Sequence, residues 1–433
     1  MWAYFLRLAL RSLKHNPVLT ALMVLAIGLG IGASMTMLTI LHVMSADPIP
    51  DRSAQLFYPQ IDPQSLKNYR PGDEPPNQFT WIDAQNLLHA RKAIHQVAMT
   101  GGGVIVRPQQ RKQRPFLAVA RYTSADFFDM FEIPFAYGGG WTSRDDTQRA
   151  RLAVISRGLA DKLYGADHAV GQTLRLGDSD FRVIGVIDHW NPIPHYYDLT
   201  QGSYTSTEQV FMPLTTAIAL KEQTFGDVNC WSRMPADGDL TNADCTWLQF
   251  WVQLDTPQQA ADYRAFLVNY SQEQKNLGRF ERAPNVRLRS VMQWLNYNHV
   301  IPGSVQLQSL LALGFMLVCL LNTVTLLLVK FLKRGHELSV RRAMGASQKA
   351  VFLQLLVEAS LIGLSGGIIG MLLAWCGLWI VRQQPVSYAD LAHLDWAMLL
   401  ASFGLAIGTT LLAAAFPAWR ACRIMPARLL KIQ

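Results

Sequence analysis

The sequence lacks the short motifs that identify most nucleotide-binding and metal-dependent proteins. It contains no Gly-Lys pair, which excludes the phosphate-binding loop G-x-x-x-x-G-K-[ST], and it has neither H-E-x-x-H nor a paired C-x-x-C. Isolated histidines such as His89, His95 and His195 are more often core or surface residues than metal ligands. We therefore expect no metal site, no cofactor bound by this chain, and any ATP and Mg²⁺ to be handled by a partner.

Charged residues are also scarce, at 16% of the 433 residues, and half of the chain is hydrophobic. The net charge of +8 would suggest nucleic acid if it were spread over a soluble surface. However, residues 46–300 contain 25 Lys and Arg against 27 Asp and Glu, whereas the rest of the chain contains 14 against 4. The basic excess thus lies outside the large polar segment, and we expect no nucleic-acid binding.

Four segments are long and apolar enough to cross a bilayer, which takes about 20 residues. We place these transmembrane helices at 18–45, 301–332, 351–382 and 396–417. Arg7, Arg11 and Lys14 precede the first segment as in a signal peptide, but its apolar run continues to about Met44 without a suitable cleavage site. The predicted fold is an α-helical membrane protein with four transmembrane helices and a large mixed α+β domain, 46–300, inserted between helices 1 and 2.

The distribution of basic residues predicts the orientation. They gather before helix 1, between helices 2 and 3 and after helix 4, while Arg382 alone lies at the loop 383–395. Cytoplasmic loops carry the excess of Lys and Arg, so both termini and the segment 333–350 are expected in the cytoplasm and the domain 46–300 outside. Residues 1–17 have the spacing of an amphipathic helix on the inner leaflet, or serve only as a basic flank. Residues 418–433 form the predicted cytoplasmic tail.

The outer domain alternates strand-like runs with turns and short helices. "RLAVIS" predicts a strand, "SRGLADKLYG" a helix with Ser156 as N-cap and Gly165 at its end, and "QTLRLGDSDFRVIGVI" a hairpin. The segment 188–244 resembles a long loop, and we expect two lobes. Cys230 and Cys245 are the domain's two cysteines. In an oxidising compartment they form a plausible disulfide; the alternative is two unpaired thiols.

Several motifs within the apolar segments favour helix packing. "GLGIGA" loosely matches a dinucleotide fingerprint, and "GLSGG" matches a serine-hydrolase elbow around Ser365, but both lack the strand these motifs require. Small residues instead allow helices to approach closely in lipid. The residues assigned to such packing, or to interhelical hydrogen bonding, are Gly28, Gly32, Gly366, Gly367, Gly370 and Asn322.

Two polar positions near the start of helix 3 are functional candidates. Glu358 lies one turn beyond Gln354, and a carboxylate inside a membrane segment is costly unless it is paired or close to the interface. The alternative is a carboxylate that reaches back to the lipid headgroups. The preceding stretch "HELSVRRAMGAS", 336–347, predicts a short charged helix that faces the cytoplasm and could dock on a partner. The alternative interpretation is a basic loop with no docking role.

The segment 333–370 resembles the FtsX-like permease domain of MacB-type ABC transporters. The resemblance covers Glu337, the Arg341-Arg342 pair, the turn at Gly345 to Ser347, Gln354, Glu358 and the following glycines, although Ser339 stands where the family has Gly. "FPAWRACRIMPARLLK" is similar to the family's closing segment, and parts of 121–214 resemble its periplasmic core domain.

The resemblance implies a permease subunit in a bacterial inner membrane that transmits ATP-driven movement to its periplasmic domain. Residues Glu337, Arg341, Arg342, Gly345 and Ser347 would then couple to a cytoplasmic ABC ATPase dimer. Further implied partners are a second or paralogous permease copy, a periplasmic adaptor and an outer-membrane duct. The implied task is export of a peptide, toxin or drug from the periplasm. Alternatives are lipoprotein release, activation of cell-wall hydrolases, or an ATP-independent membrane-anchored sensor.

Overall fold

The computed structural model describes residues 17–67, 69–108, 114–165, 169–205, 207–236, 238–383 and 396–422. These residues form two compact units: residues 46–300, called the outer domain, and the remaining described residues, called the helical unit. The predicted N-terminal helix, nearly all of the loop 383–395 and most of the tail 418–433 lie outside the described residues. Residues 46–300 form one of the two units, and the expected division of this domain into two lobes stays a prediction.

The helices of the described residues are numbered in chain order. They are α1 (Pro17–Ser45), α2 (Trp81–Ala90), α3 (Phe127–Met130), α4 (Ser143–Thr147), α5 (Arg157–Tyr164), α6 (Leu214–Ala219), α7 (Pro257–Asn276), α8 (Val291–Tyr297), α9 (Gly303–Lys333), α10 (Gly335–Ala343), α11 (Gln348–Arg382) and α12 (Trp396–Cys422). Four of them include a stretch long and apolar enough to cross a membrane: α1, α9, α11 and, over Phe403–Cys422, α12. The four predicted apolar helices are thus present.

The strands of the described residues all belong to the outer domain. They are β1 (Leu56–Gln60), β2 (Gln96–Arg107), β3 (Phe116–Thr123), β4 (Phe135–Gly138), β5 (Leu152–Ser156), β6 (Thr173–Leu176), β7 (Ser179–Ile187), β8 (Val210–Pro213), β9 (Thr224–Phe225), β10 (Asn229–Cys230), β11 (Cys245–Thr246), β12 (Gln249–Gln253) and β13 (Arg287–Ser290). The predicted strand at β5, helix at α5 with its Ser156 cap, and β6–β7 hairpin are confirmed.

Eleven strands form one mixed sheet in the order β13-β1-β12-β2-β3-β8-β5-β7-β4, with β6 beside β2 and β7, and β9 beside β2. The β3–β8 and β5–β7 pairs are parallel, and the other pairs in this sheet are antiparallel. The segment 188–244, expected to be a loop, in fact contributes β8 and α6. Its short apolar run "VFMPL" is buried by pairing with distant β3, which local sequence does not reveal.

The sheet separates two hydrophobic cores because successive strand residues point to opposite faces. On β12, Phe250 packs in one core and Trp251 in the other, and on β2 the same holds for Ala98 and Met99. Helices α2, α5 and α7 cover the first face, and α3 and α8 cover the second. Each core therefore consists of one sheet face and the helices packed against it.

Helix α12 differs from the prediction at its C-terminal end. We expected the fourth membrane helix to stop at Pro417, but the helix continues to Cys422 with Pro417 inside it. Ala418, Ala421 and Cys422 are buried against other helices of the unit. Proline is tolerated inside packed membrane helices because neighbouring groups compensate for the lost hydrogen bond.

Candidate functional site

The predicted docking helix is α10, and its end is built by two small residues. Gly345 has a left-handed φ of 101°, which glycine adopts without a steric penalty. The amide of Ala346 donates to the carbonyl of Arg341 at 3.1 Å and closes the turn. Ser347 then caps α11 by accepting a hydrogen bond from the amide of Ala350 at 3.2 Å. Gly345 and Ser347 therefore shape the turn between the two helices.

Glu337 is the centre of an ion-pair cluster on α10. Arg334 donates from Nε and Nη2 to its carboxylate, with both distances to Oε2 at 3.0 Å. Arg341, one turn along, donates to Oε1 at 2.7 Å. Arg341 also donates to the side-chain oxygen of Gln354 on α11 at 3.2 Å. These contacts fasten α10 to the first turns of α11.

Glu358 extends this cluster into the helical unit. Its carboxylate lies 2.8 Å from Nζ of Lys330 and 2.9 Å from Nη1 of Arg334. Glu358 and Lys330 are each only 1% exposed. The costly buried carboxylate noted in the sequence is thus paired, and it joins α9 to α11. We call the set Lys330, Arg334, Glu337, Arg341, Gln354 and Glu358 the ion network.

The second arginine of the pair has a different partner. Arg342 donates from Nη1 to the backbone carbonyl of Cys422, the last residue of α12, at 2.9 Å. Basic side chains are favourable next to the unpaired carbonyls at a helix C-terminus. As a result, Arg341 and Arg342 fasten the short helix to the ends of two different long helices.

One surface of α10 and its following turn is not covered by any residue that the structure describes. Val340 is 39% exposed and Met344 is 76% exposed, and Ala343 and Gly345 beside them are also exposed. Apolar side chains that project from a charged helix are typical of a surface that a partner covers. We call Val340, Ala343, Met344 and Gly345 the apolar tip.

The predicted packing glycines bring α1 and α11 together. A Cβ atom on Gly32 would lie 2.7 Å from Cβ of Leu373, and one on Gly370 would lie 2.9 Å from Cβ of Ile31. Gly28 and Gly366 likewise face Ile369 and Ile27 across the same pair of helices, and Gly367 faces Ala406 of α12. Backbone approach this close requires residues without side chains.

Asn322 lies elsewhere. It is exposed on α9 in the same stripe as Val318 and Val329, and its side-chain amide makes no hydrogen bond with a residue that the structure describes. The expected hydrogen bond between helices is therefore not made within the described part of this chain.

In the outer domain, Cys230 and Cys245 are joined by a disulfide across the β10–β11 pair. This pair of strands forms a sheet of its own, separate from the eleven-stranded sheet. The disulfide closes a loop of sequence separation 15 in the segment that had appeared irregular.

Sequence reasoning missed a buried charge cluster in the outer domain. Arg121 on β3 is fully buried and forms ion pairs with Asp198, at 2.6 Å, and with Glu208. Tyr197 donates to Glu208 at 2.7 Å, and His195 Nε2 lies 3.7 Å from the same carboxylate. The nearby guanidinium of Arg121 outweighs burial and lowers the pKa of both carboxyl groups. The sequence signal that could have indicated this cluster is a single Arg within an otherwise apolar strand.

Comparisons with known proteins decide the family. Residues 20–269 match the family model of the MacB-like periplasmic core domain, and residues 309–426 match that of the FtsX-like permease C-terminal region. The first match alone covers more than half of the chain. The chain belongs to the MacB-type ABC transporter permeases. Its four apolar helices and its match to a periplasmic domain fit a protein of the inner membrane.

Among MacB-type relatives, the "Macrolide export ATP-binding/permease protein MacB" of Marinobacter nauticus is 25% identical over 433 residues, covering 98% of this chain and 60% of the relative. The "Pyoverdine export ATP-binding/permease protein PvdT" of Pseudomonas aeruginosa is 23% identical over 432 residues, covering 99% and 58%. The chain therefore spans about three fifths of the length of these curated relatives. The crystallised periplasmic region of MacB from Actinobacillus actinomycetemcomitans is 13% identical with a TM-score of 0.35, covering 56% of this chain and 92% of that one.

Proposed function

We propose that this chain is the permease part of an ABC exporter, in which α10 docks on a cytoplasmic ATPase and passes its movement to the helical unit. The observation that carries the proposal is the ion network. It ties α10 to α9 and α11 through charged contacts of 2.7 to 3.2 Å, while no described residue covers the apolar tip. A short helix fixed to long helices on one side and open on the other is suited to transmit force.

The contacts of α10 refine the roles expected from the sequence. Glu337, Arg341 and Arg342 were predicted to dock on the ATPase. In the structure, Arg341 and Arg342 bind residues of α11 and α12, and Glu337 pairs with Arg334 and Arg341. We propose that the apolar tip makes the docking contact and that the charged residues orient it. ATP and Mg²⁺ are then bound by the partner ATPase dimer.

The cargo proposal rests on the relatives. Their printed names describe macrolide and pyoverdine export, and we propose by analogy that this chain exports a small molecule or peptide from the periplasm. Both termini and α10 would face the cytoplasm, as the basic residues predict. A second permease copy would cover exposed surface of α9, and an adaptor and outer-membrane duct would complete the route. No feature of the described residues favours lipoprotein release or hydrolase activation.

Co-purification tests the docking proposal. The native chain and the variant Met344→Glu are each co-expressed with the ATPase whose gene lies nearest to the gene of this chain. Each is purified in mild detergent, and the ATPase that it retains is measured. Because Met344 has no role in the ion network, the variant should fold normally but lose the ATPase. Gln272→Glu introduces the same charge on an exposed part of α7 and serves as the matched control. Equal retention of the ATPase by the native chain and by Met344→Glu would refute docking at the tip. No retention by the native chain would favour an ATP-independent sensor.

A further inference from the structure

A cleft of about 580 Å³ opens on the surface of the outer domain. Its walls come from the start of α2, the residues before β5, helix α6 with the residues that follow it, and the segment 238–247. Sites for small molecules commonly have volumes of about 300–1,000 Å³. The cleft is therefore large enough to hold a small organic ligand.

One wall of the cleft is aromatic and apolar. Trp81, the first residue of α2, lines the cleft and is only partly buried. Trp247, 3% exposed, packs parallel to it, with ring centroids 6.2 Å apart and an interplanar angle of 6°. Ile218 and Leu240 line the same cleft and pack in the first core. The Trp81 ring is thus supported from within the domain, and its remaining surface can contact an apolar group or a cation.

Glu222 gives the cleft a carboxylate without a partner. Its side chain is partly buried and makes no hydrogen bond or ion pair with any residue that the structure describes. Burial raises the pKa of Glu222 above its ordinary value, and no described cation offsets this rise. Withdrawing a charge from water costs free energy unless the charge is paired. A cation that entered the cleft would supply the missing partner.

The backbone fixes the position of Glu222. Lys221 has a left-handed φ of 56°, and the amide of Glu222 donates to the carbonyl of Ala217 at 3.0 Å, which closes the end of α6. The carbonyl of the next residue, Gln223, accepts a hydrogen bond from the hydroxyl of Tyr122 on β3 at 3.1 Å. The residue that carries the unpaired carboxylate is therefore attached both to a helix and to the large sheet.

The other charges at the cleft do not outweigh this carboxylate. Arg149, Lys221 and Asp239 also line the cleft, and all three are exposed. The hydrogen bond from Thr241 and the charge of Lys221 lower the pKa of Asp239, so Lys221 already lies near a carboxylate. Exposed charges are screened by water and salt, whereas a partly buried charge is screened much less. A ligand inside the cleft is therefore most strongly affected by Glu222.

We propose that the cleft binds an organic ammonium compound that carries an apolar or aromatic body. The ammonium group donates hydrogen bonds to the carboxylate of Glu222, and the body packs against Trp81 and Leu240. An inorganic cation would leave the apolar wall unused, and an uncharged or anionic compound would leave Glu222 without a partner. Every residue of the cleft belongs to the outer domain, so the proposal does not depend on the proposed ATPase docking.

The test measures binding of 2-phenylethylamine, which is protonated at neutral pH, to the full chain by saturation-transfer NMR. The chain is held in phosphatidylcholine nanodiscs, and empty nanodiscs are the blank. The comparison probes are 2-phenylethanol, which is uncharged, 3-phenylpropionate, which has the opposite charge, and methylamine, which lacks the body.

Two variants each remove one part of the site. Glu222→Gln removes the charge and keeps the shape of the side chain, and Trp81→Leu removes the ring. Glu273→Gln makes the same change of charge on an exposed part of α7 and is the matched control. Thermal unfolding checks that every variant is folded.

We expect saturable binding of 2-phenylethylamine, weakened at least about threefold in Glu222→Gln and in Trp81→Leu but unchanged in Glu273→Gln. Each comparison probe should bind at least about threefold more weakly than 2-phenylethylamine. Absence of saturable binding above the blank, or equal binding by Glu222→Gln and the native chain, would overturn the proposal. Equal binding of 2-phenylethanol would overturn the ammonium assignment, and equal binding of methylamine would overturn the role of the apolar wall.

Discussion

Replacing Glu358 by Gln tests whether the ion network supports the helical unit. The change keeps the size of the side chain and removes the charge that faces Lys330 at 2.8 Å. Arg334 retains Glu337 as a partner, whereas Lys330, 1% exposed, is left with an uncompensated charge. Removing one member of a buried pair costs about 3–5 kcal/mol, so we expect Glu358→Gln to lower the free energy of unfolding by about that amount.

A second change identifies the cause of this loss. Adding Lys330→Met to Glu358→Gln removes the stranded charge, and replacing a buried ion pair by groups of similar volume is often close to neutral. The double variant should therefore recover most of the lost stability. Glu337→Gln is the control, because Glu337 is 43% exposed and pairs of this kind contribute about 0–1 kcal/mol.

The measurement is equilibrium unfolding of the purified chain in detergent micelles, followed by circular dichroism. If Glu358→Gln costs no more than Glu337→Gln, the Lys330–Glu358 pair does not stabilise the unit. If the double variant is as unstable as Glu358→Gln alone, the loss comes from packing and not from the stranded charge of Lys330. Either result would refute the role given to the buried half of the ion network.

Three further predictions concern stability. Gly32→Ala places a Cβ 2.7 Å from Leu373 and should cost about 1–3 kcal/mol in detergent unfolding, whereas Gly408→Ala, with open space, should not destabilise. Burial raises the pKa of Asp146 from 3.8 to about 7, so the folded state holds the proton of this carboxyl more tightly than the unfolded state does. The stability of the native chain should therefore fall between about pH 4 and 7 relative to that of Asp146→Asn. Parallel curves of stability against pH for the two proteins would contradict this. Reducing the Cys230–Cys245 disulfide, whose cysteines are separated by 15 residues, should lower the free energy of unfolding by about 3 kcal/mol. An unchanged melting temperature after reduction would contradict this prediction.

The sequence was sufficient for features that depend on local composition. Apolar length predicted the four long helices, and Ser156 and Gly165 marked the ends of α5 because capping is a local interaction. The family resemblance was also carried by local motifs. The residues near α10 identified this segment, but they did not reveal which residues pair with its charged side chains.

Features that depend on long-range pairing were beyond the sequence. Glu358 and Arg334 are 24 residues apart and meet only because two helices pack in one register. For the same reason, the parallel β3–β8 pair and the burial of Arg121 against Glu208 leave no periodic signal. The surroundings of Asn322 were likewise beyond the sequence, because the sequence does not reveal which face of an apolar helix a polar residue occupies.

The central claim, that the apolar tip of α10 contacts an ATPase, is tested most directly by photo-crosslinking. Met344 is replaced by p-benzoylphenylalanine, and in a second chain the exposed Leu117 of the outer domain is replaced in the same way. Irradiation of membranes containing the chain and its ATPase should give an ATPase adduct from position 344 and none from position 117. No adduct from position 344, or equal adducts from both positions, would contradict the docking and the orientation on which it depends.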